Sequence, residues 1–447
     1  MKDQTTIGRT RLAAFFDAGT FVELGAYVTR PDSEDAEGVI CGYGAREGRL
    51  VFAFAQDSSL MKGALDGRHA QKIALTYEKA LAAGAPIVGF FDCAGAVVFD
   101  GAAALAGYGT LLSAASKASG IIPQIAVICG TCAGTMAAVA ALFDFTVVIE
   151  GQSKLYVTSP SLVSEEIGSA AAAAANGTAT LCVADESAAL CAVGNLLSYL
   201  PDHARGARPE TNTDDLNRAL ALGERSGAKE ALEAAVDAGR FTALYADYSD
   251  TVTAGLANMG GLSCAVIALD GVLSVPAVKT VTRVLAVADR FGLPVVSFVN
   301  CEGLAADAAA EAEMPVALAA LARRMARAHT PRVCAIVGAA IGAGFLFGGA
   351  KALGTDMVYA LPGAEIAALS APAGVAFLWN DRITPELDRK TLEAQWREEK
   401  AAPEAAAANG EVDDIIAPAE LRARILAALM MLRGKHARRH GRPAMPL

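Results

Sequence analysis

The groups best suited to chemistry in this chain are backbone amides. Residues 125–145, IAVICGTCAGTMAAVAALFDF, open as an apolar strand and break at Gly130-Thr131-Cys132-Ala133-Gly134. They run on as a small-residue helix from Thr135 that stops at Asp144. A strand, a glycine turn and a helix leave N–H groups that no carbonyl inside the helix can take. Such amides stabilise an oxygen that is negative or becoming negative. The construction occurs twice. Residues 333–350, VCAIVGAAIGAGFLFGGA, repeat it, with Gly130 and Gly134 returning as Gly338 and Gly342. The same offset carries Gly84 to Gly292, Pro86 to Pro294, Phe90 to Phe298, Cys93 to Cys301 and Gly95 to Gly303. One offset held across separate elements reads as internal duplication, hence two similar domains.

Side-chain chemistry has weaker support. The five histidines, His69, His203, His329, His436 and His440, form no His-x-x-x-His pair, and no Gly-x-Ser-x-Gly elbow is present. Metal-dependent and serine hydrolysis are therefore set aside, and no metal site is expected. His69 reads as a helix-surface or capping residue. Cys129-Gly-Thr-Cys132 stands where thioredoxin-like proteins carry their redox pair. The duplicate has Val337 and Ala340 there, and no second Cys-x-x-Cys completes a zinc site. Both cysteines read as small core residues. Neither glycine turn is a Gly-x-Gly-x-x-Gly dinucleotide fingerprint.

The elements that must hold these turns alternate in type. Residues 38–44 and 50–55 read as a hairpin closed at Arg46-Glu47-Gly48-Arg49, and residues 251–257 and 262–269 echo it. A helix over 62–83 leads to a buried strand over 86–91. A second helix over 102–119 leads to the glycine turn. Residues 147–157 continue the sheet, and residues 186–199 form a further helix. Strands alternating with helices argue an α/β class. The charged stretch from Pro201 marks the boundary, giving domains over 1–205 and 240–447 with a linker over 206–239. The chain is 447 residues long, 53% hydrophobic and 19% charged, which implies large cores and subunit interfaces. A net charge of -10 argues against nucleic acid as a partner. The polar N-terminus reads as lacking a signal peptide, and nine cysteines in apolar runs suit a reducing cytoplasm. Two uncharged windows, 125–143 and 333–350, raise a transmembrane question. Their Gly, Ala, Thr and Cys content fits buried strand–turn–helix units better.

Residues 38–96 and 107–134, with 143–160 (FDFTVVIEGQSKLYVTSP), 196–202 (LLSYLPD) and 354–378, resemble the carboxyltransferase subunits of biotin-dependent acyl-CoA carboxylases and decarboxylases. These include the propionyl-CoA carboxylase β chain and the methylmalonyl-CoA and glutaconyl-CoA decarboxylase α chains. The resemblance implies two duplicated crotonase-like β–β–α superhelix domains, in agreement with the duplication. It also implies a hexamer in which the N-domain of one subunit faces the C-domain of another. Acyl-CoA then binds on the N-domain side, and biotin, borne on a separate carrier protein, on the C-domain side. Transfer between biotin and the α-carbon makes an enolate of the thioester and a negative ureido oxygen, so two oxyanion holes are needed. By resemblance these fall on the amides of Gly134 and Thr135 and of Ala343 and Gly344. The acyl-CoA would lie along Ala94, Gly95, Ala96, Gly130, Cys132, Ala133 and Lys154. The biotin would lie along Gly338, Ile341, Gly342, Phe345 and Leu346.

CoA phosphates would meet Lys62, Arg68, Lys72, Lys117 or Lys154. Further partners implied are a biotin carboxylase or membrane decarboxylase subunits, so a cytoplasmic place at the edge of a membrane complex is compatible. The family's Asp-Ser-Gly-Gly-Ala-Arg stands here as Asp92-Cys93-Ala94-Gly95-Ala96-Val97, without the arginine. Two alternatives stay beside this reading. One is a biotin-independent crotonase-type acyl-CoA enzyme, which requires a carboxylate such as Asp92, Glu150 or Glu165. The other is a non-catalytic paralogue that scaffolds an active carboxyltransferase.

Overall fold

A computed structural model describes residues 6–28, 38–164, 166–211 and 214–435. The chain divides between Ala207 and Arg208 into two compact units. In the first unit the strands are β1 Val22–Leu24, β2 Val39–Arg46, β3 Arg49–Gln56, β4 Ile87–Cys93, β5 Gln124–Ala133, β6 Phe145–Ile149, β7 Lys154–Tyr156 and β8 Leu181–Val183. In the second they are β9 Phe241–Leu244, β10 Val252–Met259, β11 Leu262–Leu273, β12 Val295–Leu304, β13 Arg332–Ile341, β14 Met357–Ala360, β15 Glu365–Ala367 and β16 Asp414–Ile415.

The two sheets have one topology. The first runs β1-β2-β3-β4-β5-β6-β8 with β7 on β5. The second runs β9-β10-β11-β12-β13-β14-β16 with β15 on β13. In each sheet three antiparallel strands lead into parallel ones. The parallel strands are predominantly apolar because both faces are covered: β4 and β13 are buried at every position, including Asp92 and Arg332.

Equivalent contacts recur where the sequence offset has drifted. Asp17 accepts the amides of Glu47 and Gly48 across the turn between β2 and β3. Asp237 accepts those of Gly260 and Gly261 between β10 and β11. The helix Gly67–Ala83 delivers the chain to β4, as the helix Val275–Phe291 does to β12. The first is capped by Asp66, whose carboxylate accepts the His69 amide at 2.8 Å, and it stops at Gly84. It begins later than the sequence suggests, because Met61 and Lys62 sit at φ 47° and 54°, outside helical geometry. The expected strand over 147–157 is two, β6 and β7, split by a turn at Gly151. Within residues 206–239, expected as a linker, the helix Ala228–Ala235 buries Ala228, Ala231, Leu232 and Ala235 in the core of the second unit and Asp237 is fully buried, so the stretch from Arg208 is part of that unit. No helix among the described residues is long and apolar enough to cross a membrane; both uncharged windows are a strand and a short helix.

Candidate active site

The parallel register pairs Cys93 of β4 with Cys132 of β5, and Cys301 of β12 with Ala340 of β13. The loop after β4 and the turn after β5 therefore leave the same end of adjacent strands. This is the end of a parallel sheet where ligands bind.

In the first unit the turn is pinned at both ends. Thr131 donates its amide to Asp92 Oδ1 at 3.3 Å, and Gly134 donates its amide to the Tyr156 carbonyl of β7 at 2.9 Å. Gly134 adopts φ 66°, ψ −137°, which L residues avoid, and a Cβ there would meet nothing within 4 Å. Conformation, not packing, demands glycine. The helix Thr135–Ala141 follows, shorter than the sequence suggests. Its first bond to the turn is Ala137 N–H to the Gly134 carbonyl at 3.1 Å, so the Thr135 amide has no acceptor among the described residues. Thr135 is exposed.

The neighbouring loop is held by residues 62–65. Ala94 donates to the Lys62 carbonyl (3.0 Å), Leu65 to that of Gly95 (2.8 Å), and Val97 to that of Leu65 (2.9 Å). These bonds leave the Gly95 and Ala96 amides without an acceptor among the described residues. Chemically the unit offers amides from a helix start and an adjoining loop, the combination an oxyanion requires.

The second unit repeats the arrangement. Ala339 donates to Asn300 Oδ1 at 2.9 Å, and Gly342, at φ 53°, donates to the Ala367 carbonyl of β15 at 2.8 Å. Leu346 is the first residue bonded back to the turn, so the Ala343 and Gly344 amides find no acceptor among the described residues.

The expectations divide on this geometry. Ala343 and Gly344 have the free amides their assignment needs, and so has Thr135. Gly134 does not: its amide is spent on β7, because β7 pairs with the end of β5 and reaches the turn. Structural equivalence sets Thr135 against Ala343, not Gly134 against Ala343. Ala94 is exposed, Gly95, Ala96 and Gly130 are half-buried, and Lys154 is exposed on β7 opposite Thr131. Cys132 and Ala133 are buried in the strand. In the second unit Gly338 and Ile341 are buried, Gly342 and Phe345 half-buried, and Leu346 exposed. Lys72 is lost as a phosphate ligand: it is buried, with its ammonium on the Val39 carbonyl at 2.8 Å.

His69 is neither on the surface nor a cap; it is fully buried, with Nε2 3.3 Å from Gln56 Nε2, because its helix packs that face on the sheet. Cys129 and Cys132 are buried and unpaired, and burial pushes the Cys129 thiol up to about 12, so neither suits redox chemistry. Among the described residues no cluster of three or more metal-ligating side chains exists.

Of the carboxylates named for the biotin-independent alternative, the two described, Asp92 and Glu150, are not placed for it. Asp92 is buried and held by Arg11 Nη1 at 3.1 Å and Ser58 Oγ at 2.7 Å. Glu150 is exposed beyond β6, and Glu165, like His436 and His440, lies outside the described residues. Arg11, which sequence reading missed, is buried and also bonds Glu186 at 2.9 Å. Burial alone would raise the Glu186 carboxyl, but hydrogen bonds from Arg11 and Gln152 outweigh it and hold it below its usual range. A cavity of about 70 Å³ beside Arg11, Cys129 and Glu186 is far too small for an acyl-CoA.

Comparison with known proteins gives the family and the fold. The carboxyl transferase domain family matches residues 3–443. The propionyl-CoA carboxylase carboxyltransferase subunit of Haloferax mediterranei is 31% identical, over 96% of this chain and 90% of its own length. The methylmalonyl-CoA decarboxylase subunit alpha of Veillonella parvula is 32% identical, over 96% and 91%. The crystal structure of transcarboxylase 12S, a hexamer solved with methylmalonyl-coenzyme A and methylmalonic acid bound, superposes with a TM-score of 0.92 at 28% identity, covering 99% of this chain and 92% of that one. That structure shares the duplicated, crotonase-like fold. With the glycine turn present in both halves and the likeness extending over nearly its whole length, the chain belongs to the carboxyl transferase domain family, beside the carboxyltransferase subunits of acyl-CoA carboxylases and decarboxylases.

Proposed function

We propose that this protein moves a carboxyl group between biotin and the α-carbon of a small acyl-CoA, as a subunit of a carboxylase or decarboxylase. The observation that carries the reading is the paired turn: two helix starts whose leading amides, at Thr135 and at Ala343–Gly344, have no acceptor among the described residues. A reaction with two developing oxyanions needs two such donor sets and no acid–base dyad. In the N-terminal half the Thr135 amide, with Gly95 or Ala96, holds the thioester oxygen as it becomes an enolate. Lys154, Lys62, Arg68 and Lys117, all exposed, are candidate cations for the CoA phosphates.

In the C-terminal half the free amides fit a ureido oxygen, and the exposed Leu346 and half-buried Phe345 offer an apolar edge to a ring. Biotin on a separate carrier protein, when bound there, supplies the nitrogen that gives or takes the carboxyl group. The amides of Ala343 and Gly344 orient that ring and steady charge on its oxygen. The first unit, up to Ala207, forms the acyl-CoA domain and the second, from Arg208, the biotin domain, and a site is completed by halves of two copies in a homo-oligomer, a hexamer as in transcarboxylase 12S.

The test is decarboxylation of malonyl-CoA and methylmalonyl-CoA with and without free biotin, alongside thermal stability in CoA. Biotin-stimulated carbon dioxide release and a rise in melting temperature with CoA are expected. Inactivity towards both, with no shift at millimolar CoA, overturns the reading.

A further inference from the structure

Both glycine turns are braced from beneath by a side chain at the end of the preceding parallel strand, and the two halves build that brace from different chemistry. In the first half Asp92 Oδ1 accepts the Thr131 amide, while Oδ2 accepts from Ser58 Oγ at 2.7 Å and Arg11 Nη1 at 3.1 Å. In the second half Asn300 Oδ1 accepts the Ala339 amide, and Asn300 Nδ2 donates to Asp270 Oδ1 at 2.8 Å. Asp270 Oδ2 in turn accepts the Lys229 amide at 2.9 Å. In each half the oxygen nearly fills the space of a missing side chain. A Cβ on Gly130 would lie 2.3 Å from Asp92 Oδ1, and one on Gly338 would lie 2.2 Å from Asn300 Oδ1.

The charge partner has changed along with the brace. Counted back from the ends of their helices at Phe15 and Ala235, Arg11 is matched by Ala231, which is also fully covered. Arginine with aspartate in one half becomes alanine with asparagine in the other. Removing both members of a buried ion pair together is tolerated where removing one is not. The second half therefore folds without the pair. The shared element is the acceptor oxygen aimed at the amide after the first turn glycine.

We infer that Asp92 and Asn300 are positioning residues that aim the leading helix amides, Thr135 and Ala343, and that Arg11 positions the first set by holding the Asp92 carboxylate and, through Nη2, the Cys129 carbonyl at 3.4 Å. Thr131 and Gly134 are the two anchors of the turn, on Asp92 and on β7, and the Thr135 amide follows directly from the second. Release of the first anchor lets the turn rotate about β7 and moves that amide. This inference rests on the oxyanion reading given above.

Three variants test it: Asp92→Ala, Asp92→Ala with Arg11→Ala, and Asp92→Asn with Arg11→Ala, the last transplanting the second half's solution into the first. Two readouts are taken on the full chain: kcat and KM for biotin-stimulated decarboxylation, and hydrogen exchange of the peptide spanning residues 130–136. Both alanine variants at Asp92 should lose on the order of 10²-fold in kcat, the scale of an ångström misplacement, with far less change in KM, and the turn should exchange faster. The asparagine double variant should restore protection at the turn and recover kcat to within about tenfold of the parent.

Should Asp92→Asn with Arg11→Ala behave no better than Asp92→Ala with Arg11→Ala, or should the latter keep the parent's kcat, the brace is wrong. An inactive parent whose turn still loosens in Asp92→Ala and tightens again with asparagine would uphold the brace and remove the functional reading. An active parent with unchanged exchange throughout the series would do the reverse.

Discussion

Gly134 separates two reasons for a glycine. Its amide is committed to Tyr156, and a Cβ there would meet nothing within 4 Å, so packing makes no demand on it. Its φ of 66° does, since a branched side chain is strained there. Gly134→Val should therefore twist the turn and lose at least about 10²-fold of carboxyl transfer, the scale of one lost oxyanion donor. A folded Gly134→Val protein with the parent's rate would sink the assignment of the adjoining amides. The thiols make a second residue-scale prediction. Burial pushes Cys41 up to about 11 and Cys129 and Cys334 up to about 12, from an ordinary 9.0. A raised folded value means that the protonated thiol is what the fold accommodates. That contribution is complete below pH about 9 and is lost as pH rises towards 11 and 12. Urea midpoints measured from pH 8 to 11 should fall over this window. In native protein at pH 8, a thiol reagent should modify exposed Cys191 well before the buried cysteines.

At the scale of elements, the second unit hangs several segments on one buried pair. Arg422 and Asp237 are fully buried and 2.7 Å apart. Arg422 also donates to the carbonyls of Ala235 and Asp215, and Asp237 takes both amides of the β10–β11 turn. The pair joins the C-terminal helix Leu421–Met431, the end of the helix Ala228–Ala235 and the hairpin. Arg422→Met leaves the Asp237 carboxylate buried without its cation, which should cost about 3–5 kcal/mol in chemical denaturation. A loss under about 1 kcal/mol, as for an exposed pair, would show that water replaces the arginine. In the first unit the equivalent Asp17 serves its turn from a half-buried position, without a buried cation partner among the described residues, and its carboxyl is held low by the Gly48 and Glu47 amides. The same device thus exists in a fully buried, ion-paired form and in a half-buried one.

On the scale of the whole molecule, the exposed apolar residues point to assembly. Phe99 is 97% exposed, Leu162 80% and Phe377 79%. A chain with such residues uncovered on both units gains by covering them with other copies. Multi-angle light scattering should give a mass well above 45.7 kDa, with six copies the expected state. A stable monomer would leave each half-site without its complement and remove the proposed assembly. Lys154→Ala should reduce the thermal shift produced by CoA, because this exposed cation sits opposite Thr131 at the turn. An unchanged shift would move the phosphates to Lys62, Arg68 or Lys117.

The duplication, the alternation of strands with helices and the two glycine turns were legible in the residues themselves. Glycines at turns and small residues on close-packed helices are local requirements, and a constant offset between Gly130 and Gly338 needs no coordinates to be seen. The resemblance added the chemistry, because motifs shared with the family recur in both halves, from residue 38 to residue 378. What the residues could not disclose was partnership across the sheet. Which amide of the turn is free depends on β7, a strand of three residues that reaches Gly134 from beyond β6. Arg11 meets Asp92 only when the first helix lies against β4, and His69 is buried only because its helix turns that face inward. The matched pairs Asp17 with Asp237 and Arg11 with Ala231 escaped a search at one offset, since insertions between elements shift the numbering while the packing holds. Local conformation is encoded by neighbours in sequence, whereas hydrogen-bond satisfaction and charge pairing are settled by neighbours in space.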